Sequence, residues 1–194
     1  SFGSEFEGQL LVNVSKIYVD IHENEKAAKA SLRAYQSFEK QNHVFGMLSS
    51  LTNMASALAK LNDYSDVAAQ YALKLLEYTK PGVSFNLELI ALNILTSVNR
   101  QNGNFVEAKK FGQKAVMLCQ HYKLENKTIL NLVNYGNVLR DAGEINESLA
   151  VYHEALIAAN RLGLIKDESR IYWILAEIYS SNEEYIKAIE YIDT

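Results

Sequence analysis

Sliding the chain along itself brings it back into register about every forty residues, and this period limits the possible folds more than any other feature. Repeats start at Gly8, Leu48, Leu89, Ile129 and Ser169, at spacings of 40, 41, 40 and 40. The fourth place of each repeat carries Leu11, Leu51, Leu92, Leu132 and Tyr172, and the seventh carries Val14, Met54, Leu95, Tyr135 and Leu175. Apolar residues three apart form one stripe of a first helix. The eighth place holds Ser15, Ala55, Thr96, Gly136 and Ala176, all small although helix formation does not require it. Such a row predicts a second helix packed at the short end of the usual separation of roughly 8 to 10 Å. The twentieth place, Ala27, Val67, Ala108, Ser148 and Ala188, supplies small residues on that second helix, and Tyr64, Phe105 and Tyr185 share a place that reads as core packing. Gly103 and Gly143 recur at the repeat period as turn residues, and Gly163, after Arg161-Leu162, reads as the cap that ends a second helix.

With 48% apolar residues and 22% charge over 194 residues, the chain can bury a core and does not have the composition of a disordered protein. A single proline, Pro81, and nine glycines leave too little punctuation for a many-stranded fold, so the chain is all-α. A formal charge of −4 argues against a phosphate backbone as the main partner. No apolar run approaches the roughly twenty residues that span a bilayer. One cysteine, Cys119, allows no intramolecular disulfide and fits a reducing compartment, so the expectation is a cytoplasmic protein that binds neither nucleic acid nor membrane. Gly3-Ser4-Glu5-Phe6 is what two adjacent cloning sites encode. Residues 1–7 therefore read as an unstructured expression remnant, and 8–194 as the repeat domain of a larger protein.

The chemistry-bearing residues are scattered. His22, His43, His121 and His153 fall in different repeats without metal-ligand spacing, and Cys119 sits beside Met117 and Leu118 as a buried apolar thiol would. No phosphate loop, nucleophile elbow or carboxylate pair appears. The reading is of a chain with no catalytic residue, metal or cofactor, whose work is binding.

The residues resemble the tetratricopeptide repeat, whose pattern is a bulky residue, Leu-Gly, an aromatic, then Ala, an aromatic and Ala. Leu132, Tyr135-Gly136, Leu139, Ser148, Tyr152 and Ala155 follow it, as do Tyr172, Leu175-Ala176, Tyr179, Tyr185 and Ala188. Departures are Asn24 at the turn aromatic of the first repeat and Lys74 at an alanine place of the second. Repeats of about forty residues are similar to those of the Leu-Gly-Asn polarity adaptors, the Rap-type peptide sensors and the sensor domain of the maltose-operon activator. The resemblance implies a right-handed superhelical solenoid of five antiparallel helix pairs, with first helices lining a concave groove.

The first-helix places left over by the apolar stripe would line that groove: Asn13, Lys16, Asn53, Asn93, Ser97, Arg100, Asn134, Asn137, Arg140, Arg170 and Trp173. Asn13, Asn53 and Asn134 share the sixth place, and Arg100 and Arg140 the twelfth. Asparagine is a mediocre helix former, so its recurrence suggests a ladder of amides for an extended peptide. The bland alternative is a solvated helix face. The resemblance does not extend to the chaperone-tail carboxylate clamp: Asn53 matches it, but Val12, Lys16, Ile90 and Ile94 stand where its other ligands should be. The leading expectation is thus a scaffold for a protein or peptide partner. Its rivals are a ligand-sensing domain of a larger bacterial regulator and an oligomerisation or purely structural module, and Ile189 and Ile192, lacking a later repeat to cover them, imply either further helix beyond Thr194 or self-association there.

Overall fold

The computed structural model describes residues 2–79 and 84–192. Among them are ten α-helices, one 3-10 turn and no strand. In order these are α1 (Phe2–Asp20), α2 (Asn24–Glu39), α3 (Val44–Leu58), a 3-10 turn at Asn62–Tyr64, α4 (Ser65–Tyr78) and α5 (Phe85–Gln101). Then follow α6 (Phe105–His121), α7 (Glu125–Asp141), α8 (Ile145–Leu162), α9 (Ile165–Ser181) and α10 (Tyr185–Ile192). Odd-numbered helices are the first helices of the repeats and even-numbered ones the second. The chain divides into two compact units, Ser1–Asn104 and Phe105–Thr194, so that α1 to α5 belong to one and α6 to α10 to the other. No described helix is long and apolar enough to cross a membrane. Pro81 and Thr194 lie outside the described residues.

Seven of the described turns close in the same way. His22, Asn42, Gly103, Lys123, Gly143, Gly163 and Glu183 all have positive φ. The amide that follows each one donates to the carbonyl five residues back, as Glu144 does to Leu139 at 2.9 Å and Leu164 to Ala159 at 3.0 Å. This satisfies helix-end carbonyls that would otherwise lack partners. Gly163, with φ of 65°, ends α8 as the sequence predicts. The turn between α3 and α4 differs. Lys60 donates to Ala57, Leu61 to Leu58 and Tyr64 to Leu61, a run of tight three-residue bonds.

That turn is one residue longer than its counterparts, and it shifts the second half of the second repeat. Ala68, fully buried, takes the small-residue place where Val67 was expected, and Val67 is exposed. Leu75, also fully buried, takes the alanine place where Lys74 seemed to depart from the pattern. Lys74 instead donates to the Tyr35 hydroxyl at 2.9 Å, from α4 to α2. Tyr64 is exposed rather than part of the core, and so is Tyr185 on α10.

In the first unit, Phe38 of α2 is buried where α1 and α3 each offer a glycine to its ring. A β-carbon on Gly46 would lie 2.3 Å from the ring, and one on Gly8 2.9 Å. Val12 and Ala34 complete this cluster, with Leu11 and Met47 against it. His43 stacks on Phe38 at 5.1 Å, and its Nδ1 accepts from the Gly46 amide at 3.0 Å, capping α3. Helix α1 takes in residues 2–7, which were expected to be unstructured. Leu10, Leu11 and Val12 continue the helical pattern directly after them, and an Arg33–Glu7 ion pair of 3.5 Å joins α2 to this first stretch.

In the second unit, Tyr152, Ala155 and Ala159 of α8 pack with Ile129, Leu132 and Val133 of α7 and with Ile171, Leu175 and Ile178 of α9. The row of small residues at the eighth place is buried in every repeat: Ser15, Ala55, Thr96, Gly136 and Ala176. Two of them are hydroxyl residues that bond back within their own helix, Ser15 to the Val12 carbonyl and Thr96 to that of Leu92, each at 2.8 Å. Such back-bonding is how a polar side chain tolerates full burial.

Candidate functional site

In the second unit, α7 and α9 carry the sequence-predicted residues Asn134, Asn137, Arg140, Arg170 and Trp173. Residues 134, 137 and 140 recur every three places and share one side of α7. The Asn137 side chain is fixed from behind, because the Tyr152 hydroxyl donates to its Oδ1 at 2.8 Å. Its Nδ2 keeps both hydrogens for another acceptor. Asn134 is half-buried. Arg140 is also half-buried and reaches two carboxylates, with Nε 3.2 Å from Asp141 and a terminal nitrogen 3.5 Å from Glu177. The second of these contacts places α9 beside α7 on this side. On α9, Arg170 is exposed and lies 3.6 Å from Asp167, and Trp173 is 69% exposed. An indole this open is unusual, since large aromatics normally bury most of their area. On this side, α7 carries amides and a guanidinium held by acids, and α9 carries an uncovered aromatic face.

In the first unit the predicted residues are Asn13 and Lys16 on α1, Asn53 on α3, and Asn93, Ser97 and Arg100 on α5. Asn53 has a packing role. Its Nδ2 donates to the Val12 carbonyl at 3.1 Å and to Ser15 Oγ at 2.7 Å, tying α3 to α1. Asn13 and Lys16 are exposed, with Asn13 accepting from Gln9 at 3.4 Å. Asn93, Ser97 and Arg100 are half-buried. The asparagines of the sixth place thus differ in use, and the one at the α1–α3 contact spends its donors on the fold.

Two clefts escaped the sequence reading. One, of about 340 Å³, lies in the first unit between α2 and the irregular α3–α4 turn, with Leu32, Met54, Leu58, Tyr64, Val67 and Tyr71 in its wall. Tyr64 and Val67, both exposed, stand at the end of that longer turn and the start of α4. The other, of about 540 Å³, lies in the second unit among Gln120, Lys123, Thr128, Leu132, Glu154 and Ala158, with the Arg161–Glu125 ion pair of 2.8 Å on its wall. Its charges are matched.

Cys119 is fully buried, as expected, and Asn131 donates to its sulfur at 3.5 Å and to the Lys127 carbonyl at 2.8 Å. Burial pushes the thiol up from its ordinary range, against the opposing effects of Lys127 and the Asn131 bond. The four histidines are dispersed. His22 occupies a turn, His43 caps α3, His121 meets the edge of Tyr122 at 4.9 Å, and His153 lies 6.1 Å from Tyr191.

No family model matches this chain, and no curated protein sequence matches it. Solved structures do. A Rap protein complexed with competence and sporulation factor matches with a TM-score of 0.72 at 12% identity, over 97% of this chain and 62% of that one. The apo form of RapI gives 0.71 at 13% identity, over 95% and 80%. The apo form of the quorum sensor NprR from B. thuringiensis gives 0.68 at 15% identity, over 96% and 63%. This chain has the helical-repeat fold of those proteins. It spans about three-fifths of the Rap and NprR chains.

Proposed function

We propose that this chain is a peptide-binding module that holds an extended segment of a partner against its first helices, and that its role is binding rather than catalysis. The observation that carries this reading is the arrangement on α7 and α9: an Asn137 amide whose Oδ1 is held by the Tyr152 hydroxyl, on the same side of α7 as Arg140, which reaches Glu177 of α9, the helix that also carries the open Trp173. A side-chain amide fixed in this way can donate to a peptide carbonyl at little further entropic cost. Arg140 adds a charged donor for a carboxylate or carbonyl, and Trp173 a surface for an apolar side chain. In the first unit, Asn13, Lys16, Asn93, Ser97 and Arg100 supply polar groups of the same kind. The likeness to a Rap protein crystallised with competence and sporulation factor supports a peptide as the ligand class.

A second reading rests on the likeness to the quorum sensor NprR and on the greater length of that chain. In it, this chain is the ligand-sensing part of a larger regulator, and its partner is a signalling peptide. Both readings predict the same first experiment. An array of unstructured peptides should yield binders whose affinity, measured by calorimetry, falls about tenfold with Asn137→Ala or Arg140→Ala, the scale of one hydrogen bond involving a charged or well-placed group. Lys114→Ala, on the exposed side of α6, should leave it unchanged. Binders indifferent to Asn137, Arg140 and Trp173 alike would refute the site.

A further inference from the structure

We propose that the cleft between α2 and α4 is a site for a free α-amino acid with a large apolar side chain, separate from the peptide site on the first helices. Its volume of about 340 Å³ lies near the lower end of the roughly 300–1,000 Å³ typical of small-molecule sites. The walls are apolar, with Leu32 on α2, Met54 and Leu58 on α3, Leu61 in the turn and Val67 on α4. The polar groups are Glu25 and Lys29 of α2 and the phenols Tyr64 and Tyr71. Lys74 of α4 donates to the Tyr35 hydroxyl of α2 at 2.9 Å, one turn beyond Tyr71 and Leu32, and closes that end. An extended chain laid between the two helices would run into this bridge, whereas a single amino acid ends before it.

The equivalent gap in the second unit is bridged by the chain itself. Lys109, at the twenty-first place of its repeat, crosses from α6 to Glu144 just before α8, and Lys110, at the twenty-second, pairs with Glu107 at 3.1 Å. The same two places on α2 hold Ala28 and Lys29, and Lys26 stands where Glu107 would be. The gap at Ala28 therefore lacks the lysine that bridges its counterpart, and Lys29 lacks the glutamate that neutralises Lys110. Glu25 is exposed one turn before Lys29. Among the described residues, neither has an ion-pair partner, and the hydroxyls of Tyr64 and Tyr71 have no hydrogen-bond partner. The cleft thus offers one anion, one cation and two phenols beside an apolar wall. An α-amino acid complements all of these: its carboxylate takes Lys29 and a phenol proton, its ammonium takes Glu25, and its side chain covers Leu32 and Met54. A ligand with one charge would leave Glu25 or Lys29 uncompensated beside its apolar body, which costs desolvation energy.

The experiment is calorimetry on the 194-residue chain with L-phenylalanine and L-leucine as probes. Two further probes, 3-phenylpropionate and phenethylamine, carry the aromatic body with one charge each. Both amino acids should bind one to one, and each singly charged probe about tenfold more weakly than L-phenylalanine or worse. Glu25→Gln and Lys29→Gln, at exposed sites, should each lower the affinity for L-phenylalanine about tenfold, with helicity by circular dichroism unchanged. Ala28→Lys, which supplies the residue found at this place on α6, should abolish binding, and Asn137→Ala in the other unit should leave it as it was. Absence of binding by both amino acids at millimolar concentration would overturn the proposal. So would a 3-phenylpropionate or phenethylamine affinity equal to that of L-phenylalanine, or Glu25→Gln and Lys29→Gln chains that bind as the unaltered one does.

Discussion

The ring of Tyr152 lies 2.7 Å from where a β-carbon on Gly136 would sit, and the same tyrosine donates its hydroxyl proton to Asn137, the next residue. The glycine exists to admit the ring. Gly136→Ala should therefore destabilise the second unit by about 1–3 kcal/mol, and Gly136→Leu by at least as much, because a buried aromatic and its neighbours must shift. Thermal or urea unfolding measures the loss. Adding Tyr152→Leu to Gly136→Ala should recover part of it, and a double-mutant cycle without coupling between the two positions would show that they do not share this space.

Turn residues offer the opposite sign. Lys123 and Glu183 hold positive φ at positions equivalent to Gly163 and Gly143, respectively. Lys123→Gly and Glu183→Gly should each stabilise the chain by about 0.5–1 kcal/mol, by removing the strain that a β-carbon meets in the left-handed region. Gly143→Ala should cost about 1 kcal/mol for the same reason. Chemical denaturation curves of the three variants give the comparison.

Trp173 is the only tryptophan, so intrinsic fluorescence reads the proposed site without a label. Its exposed indole should emit at long wavelength in the unliganded chain. A peptide that covers it should shift the emission to the blue, with half-saturation at the dissociation constant found by calorimetry. In Trp173→Phe the signal disappears and affinity falls several-fold. Tyr152→Phe should weaken binding as well, by releasing the Asn137 amide, at a stability cost of about 0.5–1.5 kcal/mol for one hydrogen bond. If peptides bind tightly and the emission does not move, the ligand lies elsewhere.

Cys119 should be silent in the folded chain, with a thiol reagent reacting at the rate of unfolding rather than at that of an open thiol. Its pH behaviour has a definite sign. Burial raises the thiol above its unfolded value, so the folded chain holds the proton more tightly. That contribution is complete below the unfolded value and is lost as pH rises through the folded one. Stability should fall on the alkaline side, and Cys119→Ala should flatten that fall relative to the unaltered chain.

The helix pairs, their small contact residues and the glycine that ends α8 were legible because each follows from a local rule repeated down the chain. The position of the extra residue was not. Tyr64 and Val67 imitate the aromatic and small places of the pattern, while the residues that fill the core, Ala68 and Leu75, stand one step further along. Burial decides between the two registers, and a sequence period does not encode it. Of the candidate residues, the helix placement was legible, with Asn137, Arg140 and Trp173 on α7 and α9, whereas the bonds from Asn53 to Val12 and Ser15 depend on how α3 meets α1. The division into two units between α5 and α6 left no mark in composition.

The recurrent turn, in which an amide returns to the carbonyl five residues back, also sets a timescale. Each such bond closes a loop of a few residues, and within each unit the helices that pack together are mostly neighbours in sequence. The search that limits folding is therefore short, and chains dominated by local contacts reach their native state in roughly microseconds to milliseconds. A helix pair such as α7–α8 can close early and serve as the surface on which α9 condenses.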